Sequence, residues 1–245
     1  AGSLLNTAGT LAMGGALTNS AGSTVALSGG TLRTTDGFAN AGTLTQTGGT
    51  LTGGAVTNSA TVNANGGALN AAVVNSAAFN VGGTVTGNDS FTNNPGGTLA
   101  IAGTGAYSGL TTLTNAGAVT LAAGGRLGAA TYTQDVGGTL ANTGGTVTTS
   151  GDYTQNGGTG VNAGLGAGTG TIQVGGAFGL TGGSFANNGG GSLSAANLST
   201  AAGTTLSNAG SVSTTGALAN AGSLSNTAGT LTVGSALTNS AGGTV

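Results

Sequence analysis

The chain has no cysteine, tryptophan or histidine, a single proline, and only six formally charged side chains, Arg33, Arg126, Asp36, Asp89, Asp135 and Asp152. Without cysteine there is no disulfide framework and no thiolate metal site. Without His and Cys neither a Ser-His-Asp nor a Cys-His arrangement can be assembled, and the absence of Lys and Glu removes most of the remaining acid–base chemistry. The chain is therefore expected to be non-catalytic, with no cofactor and no metal; the repeated Asp of calcium-binding nonapeptides is missing as well. The four Asp could supply a carboxylate pair. However, Asp135 follows Tyr132 whereas Asp152 precedes Tyr153, so their offsets differ, and they read as solvated turn residues.

A formal net charge of −2 provides no cluster of cations for phosphate neutralisation, which excludes nucleic acid as a partner. No apolar run approaches the roughly 20 residues a spanning helix needs, and no basic amphipathic face exists, so this segment is not expected to insert into a membrane. No basic stretch followed by an apolar one opens the chain, which places any secretion signal outside it.

What is abundant is glycine, 55 residues, and each interior Gly costs a helix about 1 kcal/mol relative to Ala. Strand and turn remain. Gly, Ser, Thr and Asn enrichment is also the signature of flexible linkers. Against disorder stand the 37% hydrophobic content, the mean hydropathy of +0.25 and the regular placement of the aliphatic residues.

That placement is a three-column repeat. The third column reads Leu17, Phe38, Val56, Val73, Phe91, Leu113, Tyr132, Tyr153, Phe178, Leu198, Leu218 and Leu237, a mean spacing of 20 residues. The second reads Leu11, Leu32, Leu51, Leu69, Val85, then Tyr107 or Leu110, then Leu127, Val147, Ile172, Leu193, Val212 and Leu231. The first reads Leu4, Val25, Leu44, Val62, Phe79 or Val81, Leu99, Val119, Leu140, Val161 or Leu165, Phe185, Leu206, Leu224 and Val245. Three short strands per repeat predict an all-β fold, a three-sided parallel β-helix (β-solenoid) of about twelve coils of about 20 residues, spanning residues 1–245 as one repetitive unit. Gly pairs such as Gly48-Gly49 and Gly137-Gly138 fall at the corners, where φ > 0 is needed, and Pro95 belongs at a corner too. The irregular long coil at 157–183 is expected to extrude a loop around GLGAGTG, residues 164–170. That stretch lacks the spacing and context of a phosphate-binding loop.

An amide recurs after the third column at Asn19, Asn40, Asn58, Asn75, Asn93, Asn115, Asn156, Asn220 and Asn239, with Asp135 in the same series. Superposed along an axis, these side chains form a structural Asn ladder. Thr and Ser precede the first and second columns in rows, for example Thr50, Thr84, Thr146 and Thr230, which offers an alternative reading as an ice-binding face. The aromatics of the third column are expected to fill the core; exposed, they would instead offer a glycan a stacking surface.

The phrases Gly-x-Leu-x-Asn at residues 2–6 and 222–226 and Ala-Leu-x-Asn at 16–19, 217–220 and 236–239 resemble the repeats of bacterial filamentous-haemagglutinin-like and autotransporter passenger proteins. That resemblance implies a right-handed parallel β-helix, export across the outer membrane, and a role at the cell surface or in a biofilm matrix as an adhesin or filament. The function expected is a rigid stalk or filament segment of an extracellular protein. Residues 1–25 and 221–245 agree at 20 positions. The partners expected are further coils of the same chain or identical copies stacked end to end, together with lateral filament association.

Overall fold

A computed structural model, which describes residues 2–164 and 169–245, winds thirty strands into twelve coils, with no helix among the described residues. Coil 2 shows the plan. Thr24–Leu27 forms face A, Thr31–Thr34 face B and Phe38–Asn40 face C. Each strand pairs in parallel with the strand one coil below and the strand one coil above. Parallel strands cannot be joined by a tight hairpin, and here the other two faces serve as the crossover. At about 4.8 Å per coil the rod is roughly 58 Å long.

Alternation decides which side chains enter the rod. In Thr24–Leu27, Val25 and Leu27 are buried while Thr24 is exposed, and the same pattern recurs in the other coils. The corners differ in sharpness. Six strands of nine or ten residues run round a corner unbroken: Thr61–Asn70, Ala78–Gly87, Ala106–Asn115, Arg126–Gln134, Thr171–Leu180 and Ser192–Thr200.

Other corners use a four-residue turn closed by a hydrogen bond from the fourth N–H to the first carbonyl. Examples are Ser23 N to Ser20 O (3.0 Å), Gly97 N to Asn94 O (2.9 Å), Gly138 N to Asp135 O (3.0 Å) and Gly191 N to Asn188 O (2.8 Å). The third residue is a glycine at positive φ, such as Gly96 at 83° and Gly190 at 75°, as a type II turn requires. Pro95 takes the second place of its turn, where no acceptor faces the backbone nitrogen.

The third column is in register from Leu17 to Leu237 as the spacing predicts. The open alternatives resolve as Phe79 in the first column and Tyr107 in the second. Two positions depart from expectation. In coil 9 the first column is occupied by Gly160, between Leu140 and Phe185, and Val161 points outward; Leu165 lies outside the described residues, as does the centre of the expected loop. On face B the register slips by two residues between coils 4 and 5, so that Val85 stands over Gly67 and Gly87 over Leu69. A slip of two keeps every side chain on its own side of the sheet.

Gly160 has a packing reason. A Cβ built there would overlap the ring of Phe185, which occupies the space a neighbouring apolar side chain would need. Phe185 packs edge-on against Phe178 with centroids 5.0 Å apart, and Phe178 stacks on Tyr153 at 4.8 Å and Tyr153 on Tyr132 at 4.6 Å. A second cluster joins Phe79, Phe91 and Tyr107 from three faces. Among the described residues forty apolar ones form one continuous core, and twenty polar ones are buried with them. One polar group for every two apolar ones is a heavy load for an interior, because an unpaired buried polar group costs about 1–3 kcal/mol. How those groups are satisfied therefore governs whether the rod is stable.

Candidate functional site: buried amide ladders

Most of the buried polar residues are carboxamides standing at corners. At the C-to-A corner, Asn19, Asn40, Asn58, Asn75, Asn93 and Asn115 superpose along the axis and are buried to 3% exposure or less. From Asn19 to Asn93 each Nδ2 donates to the Oδ1 of the next rung at 2.7–2.8 Å. Each also donates to a backbone carbonyl that opens face A beyond the next corner, as from Asn40 to Thr61 O (2.9 Å) and from Asn93 to Ala118 O (3.0 Å). The two amide hydrogens thus satisfy both the neighbouring rung and a carbonyl that the turn removes from the sheet ladder.

Two proposed members belong elsewhere. Asn156 and Asp135 are one residue past the ladder, on the outside, where the Asn156 amide donates to Asp135 Oδ1 (3.2 Å). The inward positions are Gln134 and Gln155, both fully buried. The offset shifts by one because these units read Tyr-Thr-Gln, so the amide still follows the third-column residue by two and the alternation is kept. Asn115 donates to Gln134 Oε1 at 3.1 Å, and Gln134 in turn donates to Thr159 O at 2.7 Å. Leu180 interrupts the column; Thr200, Asn220 and Asn239 resume it, with Thr200 donating to Asn220 Oδ1 and Asn220 to Asn239 Oδ1 (2.8 Å).

A second ladder stands at the A-to-B corner. Asn142, Asn162, Asn187, Asn208 and Asn226 are in register, and successive rungs are 2.9, 2.8, 2.8 and 2.8 Å apart. They also donate to the carbonyls that open face B, including Ser192 O and Ser211 O. Lower in the same column stand Asn6, Leu27, Gln46, Ala64, Val81, Ile101 and Leu121, so only isolated amides occur there. The longest run of amides therefore shifts from one corner to the other along the rod. The main run lies at C-to-A through coils 1–7 and at A-to-B through coils 8–12, with the short C-to-A run from Thr200 to Asn239 beside the second ladder in the last coils. The signal for the second ladder is an Asn two residues after the first column, as in Leu140-x-Asn142, Leu206-x-Asn208 and Leu224-x-Asn226.

Where the rail changes corner, the interior is least well satisfied. Tyr132 donates its hydroxyl to Gln134 Oε1 at 2.9 Å, but Tyr153 Oη and Gln155 Oε1, one coil above, have no partner. Thr34 Oγ1 and Tyr107 Oη are also unpartnered. Burial pushes all three tyrosine hydroxyls well above the usual phenol range; the charge of Asp89 adds to this at Tyr107, and that of Tyr132 at Tyr153, whereas the polar Asn115 amide opposes it at Tyr132.

The outer surface offers little chemistry. The Thr/Ser row of face A is broken by Ala78 and Ala118, and that of face B by Ala68, Ala106 and Arg126, although Thr146, Thr171, Ser192, Ser211 and Thr230 run unbroken. Phe38, Phe91, Tyr132, Tyr153 and Phe178 are all buried, so no ring face is open to a glycan. Asp89 and Asp152 accept from the backbone N–H groups of Ser90 and Ala177, as turn residues do. An open groove lined by Gly109, Leu110, Thr111, Gly128, Ala129 and Ser150 carries no ionisable side chain. Among the described residues no three His, Cys, Asp or Glu come together as a metal site, and no helix is long and apolar enough to cross a membrane. Comparison with protein-family models, with curated proteins and with solved structures yields no match.

Proposed function

We propose that this chain is a non-catalytic structural stalk or filament segment of an extracellular or bacterial cell-surface protein. The observation that carries the proposal is the amide rail. In two runs, Asn19 to Gln134 and Asn142 to Asn226, the carboxamides bond to each other and to corner carbonyls, which couples successive coils along the axis. Such an interior resists axial separation and bending, because parting two coils breaks three parallel strand pairings and a rung at once. The surface suits the same role. Neutral and hydroxyl-rich, it provides no charged cleft for a small substrate, and its flat faces permit lateral association into filaments.

Repetition also suits assembly with more of the same. Leu11, Leu17 and Asn19 of coil 1, which coil 2 covers, correspond in sequence to Leu231, Leu237 and Asn239 of coil 12. Coils of this grammar, from a longer chain or an identical copy, are the partners the surface fits.

Deletion and replacement in the parent protein test the role. A stalk predicts that removing the segment impairs adhesion or matrix formation and that an unrelated rigid spacer of equal length restores it. Restoration only by this sequence would reveal a binding module instead.

A further inference from the structure

The chain contains three Asn-Gly dipeptides, Asn65-Gly66, Asn156-Gly157 and Asn188-Gly189. This pairing permits an intramolecular reaction, since a glycine nitrogen has no side chain beside it to hinder attack on the preceding carboxamide. Three features set the Asn188 pair apart. Asn188 and Gly189 are both exposed. They are the first and second residues of the four-residue turn closed by Gly191 N to Asn188 O (2.8 Å). In the equivalent turn the second place is held by Pro95, which has no N–H, so the turn itself does not need that nitrogen, and among the described residues the Gly189 N–H has no acceptor. Among the described residues nothing bonds the Asn188 carboxamide.

The other two pairs are held. Asn156 donates to Asp135 Oδ1 and accepts from the Thr181 hydroxyl at 3.0 Å, and Gly157 is buried. Asn65 is exposed and sits at a register shift between Ala64 and Gly66, but its backbone belongs to the strand Thr61–Asn70, in which Gly66 is half-buried and in register with Thr84. Ladder asparagines have their amides engaged and are followed by Ala, Ser, Thr or Asn.

We infer that Asn188 is a site of self-catalysed backbone modification, the first asparagine of the folded chain to deamidate. The Gly189 nitrogen attacks the Asn188 Cγ and loses its proton to solvent, the side-chain amide departs as ammonia, and a cyclic succinimide forms. Water then opens the ring at either carbonyl, leaving aspartate or isoaspartate at position 188. The product adds a negative charge to a chain whose formal net charge is −2. The isoaspartyl form also lengthens the backbone of the turn beside the rung Asn187. Deamidation thus gives an otherwise neutral rod a slow, age-dependent change of charge at one corner.

Incubation of the intact chain in mildly alkaline buffer, followed by peptide mapping, tests this. The expected product is a mass increase of about 1 Da, an amide replaced by an acid, in the peptide containing position 188. In the folded chain Asn188 should react at least about fivefold faster than Asn65 or Asn156, and the ratio should approach about one in concentrated urea, where all three backbones are free. Gly189→Ala is compatible with the fold, because a Cβ there meets nothing within 4 Å and equivalent turns carry Ala21 and Ala202. It should slow the reaction about tenfold by hindering the nitrogen. Earlier reaction at Asn65, Asn156 or a ladder residue, no mass increase, an unchanged ratio in urea, or an unchanged rate in Gly189→Ala would each overturn the inference.

Discussion

Replacing Asn75 by alanine removes one rung from the middle of the longer ladder. Asn75 Nδ2 donates to Asn93 Oδ1 (2.8 Å), Thr98 O (3.0 Å) and Ala77 O (2.9 Å), and its Oδ1 accepts from Asn58 Nδ2 at 2.7 Å. The Asn58 amide keeps Ala78 O as an acceptor, so the acceptors that lose their donor are chiefly Asn93 Oδ1 and the Thr98 carbonyl. Two buried acceptors deprived of partners at about 1–3 kcal/mol each predict a loss of roughly 2–6 kcal/mol. Asn239→Ala is the control. Asn239 is exposed in coil 12, where its Nδ2 donates to Gly243 O (2.9 Å) and its Oδ1 accepts from Asn220, whose amide keeps Thr244 O as an acceptor, so its loss should cost under about 1 kcal/mol. Urea unfolding gives the total, and amide hydrogen exchange locates it, since a repeat protein can open over a few coils without unfolding throughout. Coils 3–5 should lose protection first. Equal and small effects of the two substitutions would refute the claim that buried amides hold the coils together.

Alkaline pH should unfold the rod through its tyrosines. Because burial raises the native values of Tyr107, Tyr132 and Tyr153 above the ordinary 10.0, their contribution is complete below pH 10 and declines above it, as the unfolded chain ionises first. Stability measured by urea titration should fall by about 4 kcal/mol between pH 9 and 11; a flat profile contradicts the burial. Tyr153→Phe and Tyr132→Phe should differ, the first being neutral or stabilising because its hydroxyl has no partner, the second costing about 1 kcal/mol with the Gln134 bond. Equal thermal shifts for the pair would argue against the different environments. Gly160→Val forces a side chain into the Phe185 ring and should cost about 1–3 kcal/mol, read as a lowered midpoint and altered aromatic circular dichroism.

The solenoid was legible in the sequence because a period of 20 residues with one bulky residue per face admits few other folds. The twelve third-column residues stack in the register their spacing gives. Legibility failed where strand alternation and turn length were decoupled. Gly160 was missed because an aromatic ring from the next coil fills its place, a substitution across coils that no single repeat displays. The face-B slip at Leu69 and Val85 was hidden for a similar reason, since a shift of two residues preserves the apolar–polar rhythm.

The ladder was visible as a series, and Asn19 to Asn115, Asn220 and Asn239 stand where the repeat places them. Asn156 did not belong, because the residue two after Tyr153 is Gln155, whose longer carboxamide serves the same corner. The second ladder was present in the Leu-x-Asn phrases after the first column, but in coils 4–7 that column reads Ala64, Val81, Ile101 and Leu121, which conceals the series. Only the coil stacking reveals that one ladder begins where the other weakens.

The most direct measurement is side-chain amide exchange by NMR on a chain labelled at asparagine. The account predicts slowly exchanging carboxamide protons for Asn40, Asn58, Asn75, Asn93, Asn115, Asn162, Asn187 and Asn208, buried and bonded rung to rung, beside fast exchange for the exposed Asn188. Uniformly fast exchange of all asparagine side chains would contradict it.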